Sequence, residues 1–360
     1  MNDLNRQPAA QSRNAVPQEV SGVLETLAAG FSLVLARPYL FALPLLVDLW
    51  TWLGVQIYPT ALIEPLQDLM IDQGGSNGSL AAEELGKLGD QMRVNDAVAS
   101  LTPSIFSGLP SDSLLNWLIG FLAPALTNGV DRSKMYADWG EGLGRSFHPD
   151  HWFGVLGAGF LLFVVATFLL ALFKVPIAQA VRGGEISVGS FLKDVGLGWF
   201  RILSLLGLIV AGLVALSVPL FIGAVVVALL GINLVALLSL AIFVVGSIGA
   251  LYAYFLIDAM FIYRVWPIRA VRMSYAVARL NFAQCWRFVA ASLLIGTGML
   301  QVWGVIIENP PGVIFALLAN AVLGTGLSIA SMMFFHDRAR LPRPAFPTQP
   351  FSSSRTYPPR

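Results

Sequence analysis

From Ile202 to Ile262 the chain carries a single charged side chain, Asp258, and its only turn-like break is Gly231, Ile232 and Asn233. A helix crossing about 30 Å of hydrocarbon needs roughly 20 apolar residues, so this stretch is too long for one crossing and reads as a tight helical hairpin. Backbone amides left unpaired in lipid are costly, which confines spanning segments of this kind to helices. The same length criterion picks out Tyr39 to Ile57, Trp152 to Lys174, Arg201 to Leu230, Leu234 to Ile262, Trp286 to Ile307 and Val313 to Phe335. The expected fold is therefore all-α, a polytopic membrane helical bundle of six transmembrane helices. The last two are separated by the polar, proline-rich break at Glu308, Asn309, Pro310, Pro311 and Gly312.

Composition agrees, since 12% of the residues are charged and 56% hydrophobic, against roughly a quarter charged in an average soluble domain. The formal net charge of +1 gives no sign of a nucleic-acid partner. A single cysteine, Cys285, excludes an internal disulfide framework. Residues 1–19 are polar, with Arg6 and Arg13 and no apolar run behind them, so no cleavable leader is read there and the segment is expected to be a disordered arm. Residues 20–337 form the membrane domain, and residues 338–360, rich in Pro, Ser and Arg, a disordered tail.

Arginine and lysine set the expected orientation. Of the 22 basic residues, 17 fall in the N-terminal arm, the second and fourth connections and the tail, all on one side of a six-span arrangement. Basic segments are retained on the cytoplasmic side, which places both termini there and the protein in a plasma membrane. The first connection, residues 58–151, holds 12 acidic and 5 basic residues and is expected to face outward, where it offers a surface to a protein partner. Within it, residues 60–72 and 80–100 read as short amphipathic helices around Gly74 to Ser79, and Leu114 to Leu126 as an interfacial or re-entrant helix.

A short amphipathic stretch precedes each odd-numbered span. Val20, Val23, Leu24, Leu27, Phe31, Val34 and Leu35 form the first apolar face; Val188, Leu192, Val195 and Trp199 the second. In the third, Ile268, Val271, Tyr275 and Phe282 oppose Arg269, Arg272 and Arg279. Each stretch meets an arginine at the boundary: Arg37, Arg201 and Arg287. The pattern predicts a threefold internal repeat of interfacial helix plus hairpin. Such helices either lie at the membrane surface with arginines toward anionic headgroups or pack as ordinary connectors on the bundle's end.

Val265, Trp266, Pro267, Ile268, Arg269, Ala270, Val271, Arg272, Met273 and Ser274, with Gly183, Gly184, Glu185, Ile186, Ser187 and Val188, give the chain a family likeness. It resembles the integral membrane domain of some bacterial glycerophosphodiester phosphodiesterases and related stand-alone bacterial membrane proteins. The resemblance covers roughly residues 150–337, with an echo at Arg37 to Leu46. It implies architecture and a prokaryotic plasma membrane. The phosphodiesterase chemistry of that family belongs to a separate barrel domain, so no catalytic residue carries over.

Asp48, at the midpoint of the first span, is the leading intramembrane polar candidate: a carboxylate at that depth must face the bundle, find a partner or be protonated. Pro44 frees the carbonyl of Leu40 one turn earlier. The competing reading is a structural hydrogen bond to another span. Asp258 is expected to pair with Arg264 or Arg201 at an interface. Pro219 frees the carbonyl of Ala215 near Ser217, and Thr297, Gln301, Asn320, Thr325 and Ser328 either line a path or bond between helices. His148, Asp150 and His151, with Asp138 or Glu141, are weak candidates for a metal shell; an interfacial cap is the alternative. No phosphate loop, nucleophile elbow or zinc-protease helix occurs, and no cofactor is implied. The leading expectation is a non-enzymatic membrane protein acting through helix packing, membrane lipids or an outer-loop partner. Alternatives are a small-solute transporter or channel, and a lipid-modifying enzyme.

Overall fold

The computed structural model describes residues 21–91, 96–106, 146–147, 149, 151–183, 188–229, 244 and 246–340. Its helices are α1 (Val23–Ala36), α2 (Tyr39–Leu53), α3 (Thr60–Gln91), α4 (Asp96–Ala99), α5 (Trp152–Val181), α6 (Val188–Leu229), α7 (Leu256–Ile262), α8 (Pro267–Leu280), α9 (Phe282–Ile306) and α10 (Pro310–Arg340). Two-residue strands β1 (Gln56–Ile57) and β2 (Ser146–Phe147) pair in parallel and clip the start of the first connection to its end.

The protein is an all-α polytopic bundle. Among the described residues four helices, Trp152–Val181, Gly189–Pro219, Phe282–Ile306 and Pro310–Arg340, are long and apolar enough to cross a membrane unaided. A fifth crossing arises if α1 and α2 act together, although they meet at 83°. Alone, α2 is about 22 Å long by helical rise, short of full thickness. The expected fourth span is represented by the shorter apolar helix Gly246–Ile262, because residues 230–243 and 245 lie outside the described set. Large apolar side chains on the spans, among them Phe160, Leu161, Leu294 and Val305, face outward, an arrangement that only hydrocarbon solvates without penalty.

Local chemistry explains most boundaries. Pro38 disfavours helical geometry at the residue before it, and Arg37 accordingly leaves the helix at φ −134°, ψ 73° and ends α1. Pro267 opens α8 at a position where its missing N–H costs nothing. Gly183, at φ +75°, turns the chain after the last residue of α5. At the start of α1 the Glu25 carboxylate accepts from the Gly22 N–H at 2.9 Å.

Packing divides the bundle into two ends. At one, α1, the C-terminal halves of α5 and α10, the start of α6 and α9, and α7 and α8 share one apolar core around Phe255, Phe288, Phe334 and Phe335. At the other, Trp52 at the end of α2 meets Leu300 and Trp303 of α9, Val313 and Leu317 of α10, and Ile105 and Phe106. The helices therefore run back and forth between an arginine-bearing end and an end that receives the first connection.

Two expectations about the repeat divide. Helices α1 and α8 exist as separate elements before α2 and α9, but the stretch Val188 to Trp199 does not: it is continuous with the following span in the 42-residue α6. No proline, glycine pair or left-handed residue interrupts Trp199, Phe200, Arg201 and Ile202, so the helix runs through. Nor is α1 a free surface helix, since it lies against α10 with Gly30 at the closest point. In the first connection α3 doubles back: Gln67 Nε2 donates to the Ala82 carbonyl at 2.9 Å, a pair that a straight helix would hold about 22 Å apart. Where the sequence leads one to expect two helices, 60–72 and 80–100, the fold-back instead lies within the single element Thr60–Gln91. The Leu114 to Leu126 helix lies outside the described residues.

Candidate functional site

Asp48 is fully buried, and the first connection supplies hydrogen-bond donors to both of its oxygens. Residues 96–106 fold into the bundle between α2 and α5, with Val98 against Val47 and Ala166, and Ala99, Ile105 and Phe106 in the core with Trp303. One Asp48 oxygen accepts from the Ser104 hydroxyl and the other from the Ile105 N–H at 3.3 Å. The Ser104 oxygen in turn accepts from the Phe106 N–H at 3.2 Å. Non-helical backbone is tolerated at membrane depth only where protein supplies its hydrogen bonds. Asp48 performs that service for the wedge. The structural reading of Asp48 thus fits the geometry, with a partner 56 residues away that periodicity could not reveal.

A second buried carboxylate is better placed for chemistry. Asp258 of α7 pairs with Lys174 of α5, Oδ1 to Nζ 3.1 Å, with both side chains almost wholly buried. Its other oxygen accepts from the Ser331 hydroxyl of α10 at 2.5 Å. The expected partners, Arg264 and Arg201, are therefore corrected. Lys174 is not the last residue of its span: Val175, Pro176, Ile177 and Ala178 continue α5 as far as Val181, which draws the ammonium inside the bundle. Three helices are joined through one carboxylate.

Next to this pair, toward the basic end, Arg182, Arg201, Arg264 and Asp194 surround a notch floored by Val175, Ala178 and Phe261. Arg264 donates to Asp194, which also accepts from Gln179 Nε2 at 3.2 Å. Arg182 Nε donates to the Ala178 carbonyl at 3.1 Å, near the C-terminus of α5, a favourable place for a cation. Burial lowers the Arg182 pKa and the charge of Arg264 lowers it further, against a smaller opposing pull from Asp194. Arg201 Nε is buried with no hydrogen-bond partner. Arg264 holds a left-handed backbone conformation, φ +52°, the only non-glycine described residue to do so. Their convergence is not legible in the sequence, where they stand in two separate basic connections.

Arg269, Arg272 and Arg279 of α8 and Arg287 of α9 are exposed. Ala270, Ser274, Val277 and Ala278 form the buried face of α8, while Ile268, Val271 and Tyr275 stay exposed beside Trp266 and Phe282. At helical spacing the three sets occupy three arcs: small residues inward, an apolar strip, and arginines beyond it. The bundle buries only the first.

The remaining candidates separate plainly. His148 and Asp150 lie outside the described residues; His151 is the exposed N-cap of α5 and makes no side-chain capping bond. Among the described residues no metal-binding group of three His, Cys, Asp or Glu occurs. Thr297 bonds its own helix at the Leu293 carbonyl, and Gln301 is exposed. Asn320 and Thr325 are buried with side-chain polar atoms unsatisfied. Pro219 is exposed, and Ser217 bonds the Val214 carbonyl at 2.8 Å rather than that of Ala215. Arg338, not singled out from the sequence, is a buried clamp: it donates to Gln284 Oε1, Phe334 O and Ser21 O and stacks 3.4 Å over the Phe334 ring.

Fold and sites together define a multi-pass helical membrane protein with buried charge concentrated at its basic end. Comparison with protein-family models, curated proteins and solved structures gives no match to the chain.

Proposed function

We propose that the protein is a non-enzymatic, multi-pass protein of a bacterial plasma membrane, both termini cytoplasmic, that engages anionic phospholipid through α8. The observation that carries this reading is the uncovered double surface of α8, where an apolar strip runs beside Arg269, Arg272 and Arg279. A helix built so lies in the interfacial plane, its strip in the acyl boundary and its cations at the headgroups, each cation contributing about 1 kcal/mol on an anionic surface. Trp266 and Trp286, both exposed, suit the same depth. Kinship with the membrane domain of the glycerophosphodiester phosphodiesterases, and an outer protein partner for residues 58–151, belong to this reading. For the latter, α3 exposes Leu66, Leu69, Ile71 and Leu80.

The test is lipid selectivity. Reconstituted protein is expected to hold spin-labelled phosphatidylglycerol at its boundary several-fold more strongly than phosphatidylcholine, with the preference lost in an Arg269→Gln, Arg272→Gln, Arg279→Gln variant and at high salt. Equal retention of both lipids by the unaltered protein removes the reading.

A small-solute transporter is the second reading, and the feature that favours it is the buried Lys174–Asp258 pair rather than Asp48. The lipid-modifying alternative rests on the His148 cluster alone.

A further inference from the structure

The notch between α5, α6 and α7 has an uncompensated charge. Three guanidinium groups face it and one carboxylate, Asp194, answers them, leaving two positive charges in excess among its described lining residues. Two of the three arginines have structural employment. Arg182 donates to the carbonyls of Ala178 and Ile262 near the ends of α5 and α7, and Arg264 pairs with Asp194. Arg201 feels the same Asp194 carboxylate at a distance, but its Nε has no acceptor. It sits where α6 enters the bundle, and that Nε is sealed from water. A buried donor of a charged group left unsatisfied is expensive, more so than a neutral one. Structures keep such groups where something else completes them.

Arg264 supplies a second, independent sign. Its left-handed backbone costs a residue with a Cβ more than the ordinary helical or extended regions do, and persists where surrounding structure enforces it. About half of its side chain is exposed, so its ion pair with Asp194 is weakly held and can yield to a competing anion.

We propose that Arg201, Arg264 and Arg182 form a binding site for a phosphate group carrying two negative charges, a phosphomonoester or inorganic phosphate. The net excess of two cations matches a dianion, whereas a carboxylate leaves one cation unanswered. Guanidinium groups converging from α6 and from the segments just past the ends of α5 and α7 suit a tetrahedral ligand with several acceptor oxygens. The enclosed part of the notch, about 10 Å³, holds a single water-sized group. It therefore takes one oxygen edge of the anion, and the rest remains at the mouth. That geometry admits the exposed phosphate of a lipid headgroup or of a soluble molecule. The site is separate from α8 and does not rest on the reading given for that helix.

Full-length protein in phosphatidylcholine nanodiscs provides the assay, with thermal unfolding as readout. Inorganic phosphate is titrated against chloride at matched ionic strength, and a parallel series replaces part of the phosphatidylcholine by phosphatidic acid. One or both phosphates are expected to raise Tm where chloride does not. Action by phosphatidic acid alone assigns the lipid headgroup as the source, and action by inorganic phosphate a soluble one. Arg201→Gln is expected to weaken the response at least tenfold in apparent affinity while leaving Tm without phosphate unchanged or higher, because it removes a buried Nε donor that has no acceptor. Asp194→Asn, which releases Arg264, is expected to strengthen it. The proposal is overturned by an unchanged response in Arg201→Gln, by an equal response to chloride, or by no response to either phosphate. A response that survives Arg201→Gln and disappears in the α8 triple variant assigns the anion to α8 and likewise overturns it. A triple variant that keeps the phosphate response but loses phosphatidylglycerol preference leaves both proposals standing as separate sites.

Discussion

Lys174 and Asp258 illustrate how a buried ion pair constrains a membrane bundle. Each charge loses its hydration, and the pairing offsets that loss only while both partners remain, with Ser331 bonding the second carboxylate oxygen. Lys174→Met is therefore expected to destabilise the protein by about 3–5 kcal/mol, because it strands Asp258 in an apolar core. The double variant Lys174→Met, Asp258→Leu is expected to recover most of the loss. Thermal or denaturant unfolding of the full-length protein checks this, and a double variant no more stable than the single one would refute it. At this scale the sequence was half legible. That Asp258 needs a cation follows from its place in an apolar run, but the cation stands 84 residues away and nothing local marks it. Lys174 looked terminal because it follows 22 uncharged residues; the helix that continues beyond it is what places it inside. Asp48 was legible in the same partial way, as a carboxylate requiring donors, with Ser104 and Ile105 concealed in a polar connection.

Among elements, the contact between α1 and α10 depends on two glycines. A Cβ on Gly30 would stand 2.7 Å from the Ala330 Cβ and 2.7 Å from the Gly326 carbonyl, and a Cβ on Gly326 would meet the Phe31 ring at 2.5 Å. All are closer than real Cβ contacts allow, so the helices must separate if either glycine gains a side chain. Small residues at helix contacts in membranes serve this close approach. Gly30→Val is expected to cost about 1–3 kcal/mol as overpacking, and to expose Thr26 and Leu27, now buried. Gly207→Ala is the control: it lies inside α6 with nothing within 4 Å of a new Cβ, and gains up to about 1 kcal/mol of helix propensity. Comparison of their unfolding midpoints decides the matter, and equal shifts in the two variants would show that the α1 contact carries no weight. The interfacial helices were readable as elements where a breaker punctuates the chain, Pro38 after α1 and Pro267 before α8. In α6 no proline stands between Val188 and Ile202, and apolar periodicity alone cannot tell a separate surface helix from the first turns of a span.

For the whole molecule, the two ends of the bundle differ in both charge and packing. Arg182, Arg201, Arg264, Arg338 and the arginines of α8 gather at the end formed by α1, α7 and α8, whereas the opposite end takes in the 96–106 wedge. Since α10 is 31 residues long, about 46 Å separates its termini, more than the hydrocarbon thickness, so the two ends cannot share one membrane surface. The charge asymmetry visible in the sequence is thus a structural polarity, and basic segments are retained on the inner side. Native Cys285 is fully buried in the core and is a poor reporter. Leu80→Cys on α3 and Arg272→Cys on α8, each in a Cys285→Ala background, are exposed at opposite ends. In intact cells a membrane-impermeant maleimide is expected to label position 80 and to reach position 272 only after permeabilisation. Labelling of both positions in intact cells would break the link between the arginine-bearing end and the cytoplasm, on which the orientation of α8 toward inner-leaflet lipid depends.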